Sequence, residues 1–361
     1  MFLYQSFYNF RNLKNNTIDL SNREVYFVGE NGQGKSNILE SLYYAAYGVS
    51  FRTHNDGQII KKGEKNFSLI SMYNKNENDT QKISVVYEDG KKKIEKNGKR
   101  IHDRKELINT IPCIVFCHDD MRFATGDPED RRFFIDQSLT LYENSYIEDM
   151  RNYKKILKSR NLILKNHQYE MLEVYDSQLA QYGVIIQDKR KKAIFQFNQI
   201  FGKLFYEITG IEGLSIRYDP SWKNIEKINL EFSDALSILK SKAETDKYME
   251  TTMSGPHRDR INFIKDNQNF VLTASTGQCR LISLILRVAQ AVFYSRSTNS
   301  KPVLLMDDVL LELDPDKRTK LNALLPEYDQ LFCTFLPGEP YERYMKHTTK
   351  IYKIENGEWN D

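Results

Sequence analysis

The chain has 361 residues, long enough for two domains, with 40% hydrophobic and 28% charged residues and a net charge of only +3. That composition fits a soluble globular protein; no apolar run is long enough to span a membrane, and the small net charge does not by itself announce a nucleic-acid partner. The four cysteines (Cys113, Cys117, Cys279, Cys333) make neither a disulfide framework nor a paired zinc site, and Met1-Phe2-Leu3-Tyr4-Gln5-Ser6 lacks a signal-peptide pattern, so a reduced cytoplasmic location is expected.

Residues 2–9 and 17–28 read as strands, joined through the turn Asn9-Phe10-Arg11-Asn12. The second ends in Val25-Tyr26-Phe27-Val28, a buried strand by its apolar run, and leads into Gly29-Glu30-Asn31-Gly32-Gln33-Gly34-Lys35-Ser36. These eight residues fit the phosphate-binding P-loop pattern. The glycines allow a tight loop whose N–H groups point inward around phosphate oxygens. Lys35 is expected to reach the β- and γ-phosphates of ATP, and the Ser36 hydroxyl to bind Mg²⁺. Ile38, Leu39, Leu42, Tyr43 and Ala46 then recur at helical spacing, and that helix would aim its positive end at the phosphates.

Gly48-Val49-Ser50-Phe51-Arg52-Thr53 reads as a loop. Strands at 67–73 and 82–88 flank the polar stretch Asn74-Lys75-Asn76-Glu77-Asn78-Asp79, and turns are expected at Glu88-Asp89-Gly90-Lys91 and Asn97-Gly98. An antiparallel β region thus follows the first βα unit. Cationic clusters lie at 91–105 (Lys91, Lys92, Lys93, Lys96, Lys99, Arg100, Arg104, Lys105) and at 189–192 (Lys189, Arg190, Lys191, Lys192). Each is either a solvated face or a contact with a phosphate backbone. Ile111-Pro112-Cys113-Ile114-Val115-Phe116-Cys117 reads as a strand with buried thiols.

From about residue 130 the apolar steps become helical. Leu139, Tyr142, Tyr146, Met150, Tyr153, Leu157 and Leu164 predict one helix over 138–165, roughly 40 Å long at the standard rise. After Asn166-His167-Gln168 the steps resume through Leu172, Tyr175, Leu179, Tyr182, Ile186, Ala193, Phe197, Ile200 and Leu204. Two long helices folded back on each other are expected.

Mixed α/β character returns near 254. Ser254-Gly255-Pro256-His257-Arg258-Asp259 is a polar turn before a strand. Ser275 or Thr276 can cap the helix whose face carries Leu281, Leu284, Ile285, Val288 and Val292. Val303-Leu304-Leu305-Met306-Asp307-Asp308 describes a buried strand ending in acids. In a P-loop protein this is a Walker B motif: Asp307 would hold Mg²⁺, and Asp308 would orient or deprotonate the attacking water. Glu312-Leu313-Asp314-Pro315 follows.

These stretches together resemble the RecF family of bacterial recombination and repair proteins, relatives of the ABC and SMC ATPases. The resemblance covers the whole chain. It rests on Asn9-Phe10-Arg11-Asn12, on the P-loop with Asn37, on 115–120 and 130–136, on 254–259, on Ser275-Thr276-Gly277-Gln278 and on 307–314. It implies an ABC-type α/β ATPase head with an antiparallel β region, interrupted by an inserted helical arm: residues 1–129 and 254–361 for the head, 130–253 for the arm. It further implies that Ser275, Thr276, Gly277 and Gln278 form the signature meeting the γ-phosphate held by a second subunit. Leu313 and Asp314 would lie in the D-loop, and Arg11 would approach the nucleotide from the P-loop side. Family members are weak ATPases that dimerise with ATP, bind duplex or gapped DNA, and work with RecO and RecR to place RecA. The chain departs from the family pattern at Cys279, Arg260 and His118, the last leaving the contact near Asp119 open. No switch histidine follows the last core strand, and Thr334 is the candidate at that position. Two other readings share the P-loop: a transporter ATPase subunit, disfavoured by the helical arm and the variant signature, and a nuclease-coupled ATPase, which would need an additional acidic metal cluster.

Overall fold

The computed structural model describes residues 1–76, 79–108, 110–224, 229–310 and 313–360. Glu77, Asn78 and Glu312 of the stretches above lie outside them. In chain order the elements are β1 (Phe2–Tyr8), β2 (Thr17–Asp19), β3 (Glu24–Val28), α1 (Lys35–Tyr47), β4 (Asn66–Asn76), β5 (Asp79–Glu88), β6 (Lys91–Lys96), β7 (Lys99–Arg100), α2 (Lys105–Ile108) and β8 (Cys113–Phe116). There follow α3 (Arg122–Thr125), α4 (Pro128–Thr140), α5 (Asn144–Lys165), α6 (Leu172–Asn198), α7 (Phe201–Thr209), β9 (Ser215–Asp219) and α8 (Phe232–Tyr248). The chain closes with β10 (Arg260–Lys265), β11 (Gln268–Asn269), α9 (Thr276–Thr298), β12 (Val303–Met306), α10 (Pro315–Leu324), β13 (Gln330–Phe335), β14 (Thr349–Glu355) and β15 (Glu358–Asn360). It divides into two compact units, 1–119 with 294–361, and 120–293. The second unit contains the stretch 130–253 expected as the helical arm, together with the turn at 254–259 and the start of α9.

The first unit holds two six-stranded sheets. One is antiparallel, in the order β2-β1-β4-β5-β6-β7; the other has the order β15-β14-β3-β13-β12-β8. In the second, β3 runs parallel to both β13 and β14, and β12 parallel to β13 and β8. All five residues of β3 are buried, as a strand covered on both faces requires. The run 17–28 is broken after β2, and β1 and β2 join the antiparallel sheet rather than that of β3. Gln330 locks the two sheets together: its buried amide accepts from Phe2 N–H and donates to the carbonyls of Phe2, Leu20 and Asn22. The hairpin turns fall where Asp-Gly and Asn-Gly allow, with Asp89, Gly90, Asn97 and Gly98 all at positive φ. Helix α1 is buried nearly all round, not along one stripe, because both sheets cover it. At its end the Tyr47 hydroxyl donates to Cys113 O (2.7 Å) and accepts from Cys113 N–H (2.9 Å), pinning β8.

In the second unit the expected helical hairpin is present as α5 and α6, which pack along each other. Both predicted helices are shorter than their apolar steps. The first splits at 141–143 into α4 and α5; the second ends at Asn198 and resumes as α7. Leu139 and Tyr146, on either side of the first break, are both buried, and α4 and α5 both pack against α6, so the apolar rhythm continues where the hydrogen-bond ladder does not. Buried polar hubs order the unit, among them those on Arg160 and Arg190. Arg160 donates to Asp176, Asp246 and Thr252 at 2.6–2.8 Å. Arg190 donates to both oxygens of Asp136 and to Asp259, which also accepts from Gln187, Tyr218 and Ser221 N–H. The turn at 254–259 is thus a structural keystone. In it His257 accepts from Tyr153 OH at Nδ1 and donates from Nε2 to Thr252 O, and burial pushes the imidazole down to about 4. The cluster at 189–192 is divided: Arg190 is buried and Lys189 pairs with Asp149, while Lys191 and Lys192 stay exposed.

Candidate nucleotide-binding site

The loop after β3 turns on two glycines. A Cβ on Gly29 would lie 2.4 Å from Ile354 O, so the residue must be glycine for the loop to pass β14. Gly34 caps α1 at φ 119°, a conformation that side chains resist. Glu30, Asn31 and Gly32 are exposed at the rim. Lys35 is buried, its ammonium donating to Gly29 O (2.7 Å) and Glu30 O (3.1 Å) inside the loop. The turn at the end of the β14–β15 hairpin grips the loop from outside: Asn356 N–H and Gly357 N–H donate to the side chain and carbonyl of Gln33.

Directly behind the loop, the Ser36 hydroxyl donates to Asp307 Oδ1 at 2.7 Å. The parallel sheet makes this possible, because β12 delivers Asp307 at its carboxyl end while α1 begins at the carboxyl end of β3. Burial, reinforced by the neighbouring Asp308 charge, pushes Asp307 up to about 6, against the hydrogen bonds of Ser36 and Thr334 and the Arg52 charge. Asp308 follows at φ 54°. Thr334, one strand over on β13, accepts from Asp308 N–H at 2.8 Å and lies 2.9 Å from Asp308 Oδ1 and 3.2 Å from Asp307 Oδ1. A serine hydroxyl beside a carboxylate is a hard-oxygen pair of the kind that, with phosphate oxygens and water, suits Mg²⁺.

A chain of side chains that motif reasoning missed braces the loop. Asn12 donates to Gly32 O, Asn37 to Asn12, and Arg52 to Asn37 Oδ1 and Glu40. Glu40 is fully buried and takes a bidentate pair from Arg11 at 2.9 and 2.7 Å, as well as the Ser50 hydroxyl. Arg11, expected to face nucleotide, is here clamped to Glu40 and Gln58 O. The clue available in the sequence was a lone acid inside Ile38-Leu39-Glu40-Ser41-Leu42, where an unpaired charge would be costly.

The remaining predicted residues fall elsewhere. Ser275 caps α9 in a reciprocal box: its hydroxyl accepts from Gln278 N–H (3.2 Å), and the Gln278 side chain accepts from Ser275 N–H (2.8 Å). Ser275, Thr276 and Gly277 are exposed in the second unit, while Cys279 is buried. Asp314 caps α10 through Lys317 N–H, and the Lys317 ammonium holds its carboxyl below the usual range. Asp119 is exposed in the turn after β8.

A parallel-strand core with a P-loop on one strand and paired aspartates on another defines an ABC-type P-loop ATPase head. The chain matches the RecF/RecN/SMC N-terminal domain over residues 5–360. It belongs to the RecF family. The DNA replication and repair protein RecF of Treponema pallidum is 45% identical over 353 residues, 97% of this chain and 98% of the relative. RecF of Clostridium perfringens is 33% identical over 97% of this chain and 96% of its own. The solved structure of the recombination mediator protein RecF–ATPrS of the RecFOR pathway superposes with a TM-score of 0.87 at 26% identity, covering 100% of this chain and 97% of that one. The Smc head domain of Pyrococcus furiosus shares the fold alone, with a TM-score of 0.56 at 17% identity. Among the described residues no helix is long and apolar enough to cross a membrane.

Proposed function

We propose that this chain is an ATP-switched DNA-binding mediator of recombinational repair. The observation that carries the reading is the 2.7 Å bond from Ser36 to Asp307, which brings the P-loop and the Walker B acid into one site. Lys35 would exchange its two loop carbonyls for the β- and γ-phosphates of ATP. Ser36 and Asp307 would hold Mg²⁺, which when bound offsets phosphate charge. Asp308, one residue beyond, would orient the attacking water and take its proton. The exposed start of α9, with Ser275, Thr276, Gly277 and Gln278, would complete the site of a second copy, so that ATP acts as glue in a two-fold dimer. Asp314 would serve the same interface, and Arg11 would approach the nucleotide from the P-loop side once released from Glu40. The solved RecF–ATP structure, superposing with a TM-score of 0.88, supports ATP as the ligand. The dimer would bind duplex or gapped DNA and work with RecO and RecR to place RecA, in the cytoplasm. Hydrolysis would be slow and serve as a switch.

Light scattering with and without ATP, on wild type and Ser275→Arg, tests the composite site. Wild type should dimerise at saturating ATP; Ser275→Arg should still bind ATP but stay monomeric and inactive. A wild type that remains monomeric, or a variant that dimerises normally, overturns the reading.

A further inference from the structure

We propose that Thr334 is a positioning residue for hydrolysis, its hydroxyl holding Asp308 in the one backbone conformation that presents the carboxylate to water. This rests on the ATPase reading above and goes beyond it. Asp308 sits at φ 54°, the left-handed region, which aspartate tolerates better than most residues that bear a side chain and which a partner for its N–H and carboxylate can fix in place. Its N–H does not join a strand ladder; it donates to Thr334 Oγ1 at 2.8 Å. The same oxygen lies 2.9 Å from Asp308 Oδ1 and 3.2 Å from Asp307 Oδ1. A hydroxyl has one proton to give. The Thr334 proton is assigned to Asp308 Oδ1, the nearer acceptor at 2.9 Å, while Asp307 Oδ1 takes the Ser36 proton at 2.7 Å. Thr334 therefore grips Asp308 at both ends, accepting from its backbone and donating to its side chain.

The anchor is rigid. Thr334 is buried on β13, which is hydrogen-bonded to β3 on one side and β12 on the other, with Thr334 opposite Phe27 and Cys333 opposite Met306. An ordinary buried threonine would need only one local partner. Here a single hydroxyl touches Asp308 twice and reaches the Mg²⁺-ligand candidate as well.

The test separates binding from turnover. ATP affinity, by titration with a fluorescent analogue, and single-turnover hydrolysis are measured for wild type and for Thr334→Ser, Thr334→Cys and Thr334→Val. Valine keeps the shape and removes both hydrogen bonds. It should bind ATP within about twofold of wild type and turn over at least about tenfold more slowly, the loss expected for one charge-assisted hydrogen bond. Serine should restore turnover to within about threefold. Cysteine, a weaker donor and acceptor, should fall between, which keeps the series informative even if the valine variant does not fold. The proposal is overturned if valine or cysteine turns over like wild type, if ATP affinity falls in step with turnover, or if serine fails to rescue. A wild type that neither binds nor hydrolyses ATP would overturn the ATPase reading and this inference together; wild-type hydrolysis with an indifferent Thr334 overturns this one alone.

Discussion

Replacing Glu40 by glutamine changes one atom and removes one charge at the centre of the brace behind the P-loop. Glutamine keeps an oxygen for one Arg11 nitrogen but turns an amide N–H₂ toward another donor. One charge-assisted hydrogen bond is lost and a donor faces a donor. In a fully buried site that costs ~1.5–3 kcal/mol. Arg11 and Arg52 are 20% and 41% exposed at their side chains, so water recovers part of the loss. The lower half of the range, about 2 kcal/mol, is therefore expected. For a unit of this size that is a fall of about 4–8 °C in melting temperature. Trp359 lies in this unit and Trp222 in the other, so tryptophan fluorescence in a Trp222→Phe background reports the relevant transition. Glu40→Ala, which strands both arginines, should cost more than Glu40→Gln. A Glu40→Gln protein melting within 1 °C of its parent would refute the idea that Glu40 is the centre of the brace.

Three further outcomes follow from the geometry. Gly183→Ala, a change that normally favours a helix by about 1 kcal/mol, should instead destabilise by ~1–3 kcal/mol, because the new Cβ would lie 2.3 Å from the Trp222 ring; a higher melting temperature would contradict this. His257 has a folded value near 4 against about 6.5 unfolded, so the unfolded chain takes the proton first. Its contribution is complete above pH 6.5 and is lost as pH falls toward 4, by up to about 1.4 kcal/mol per unit, so the stability difference between wild type and His257→Gln in urea titrations should change with pH across that window and stay constant between about pH 7 and 8. If DNA tracks the β5–β6–β7 surface, Lys91→Glu with Lys93→Glu should flatten the log–log salt slope of binding by about 2. Lys92→Glu should cost stability instead, since Lys92 is tied to Asp56 and Gly48 O.

The phosphate loop and the paired aspartates were legible because their chemistry is written in consecutive residues. The strand before the loop and the helix after it followed from apolar patterning. Glu40, Arg11 and Arg52 were not read as a cluster, because they meet only when the loop after α1 folds back over it. The lysine run at 91–96 could have been divided beforehand. Ile94 is buried, so on a strand Lys92 and Lys96 share its face and Lys91 and Lys93 take the other, as the structure has it. Strand partners were beyond reach: nothing within β1 distinguishes pairing with β4 from pairing with β3. The break before α5 was masked for a related reason, since helices feeding one core keep one apolar rhythm.

The position of β3 between β13 and β14 sets an order of events in synthesis. Glu24 pairs with Leu331 on one side and Thr349 on the other, and Gly357 closes the loop at Gln33. The ribosome makes the P-loop sequence early but must add roughly 300 more residues, about 15–60 s of elongation, before its walls exist. In that interval Val25-Tyr26-Phe27-Val28 is an unpaired apolar strand and a natural client for a chaperone. The helix-rich stretch at 120–293 emerges whole in the meantime. Nucleotide capture through this loop would thereby wait until residues near 357 have been made.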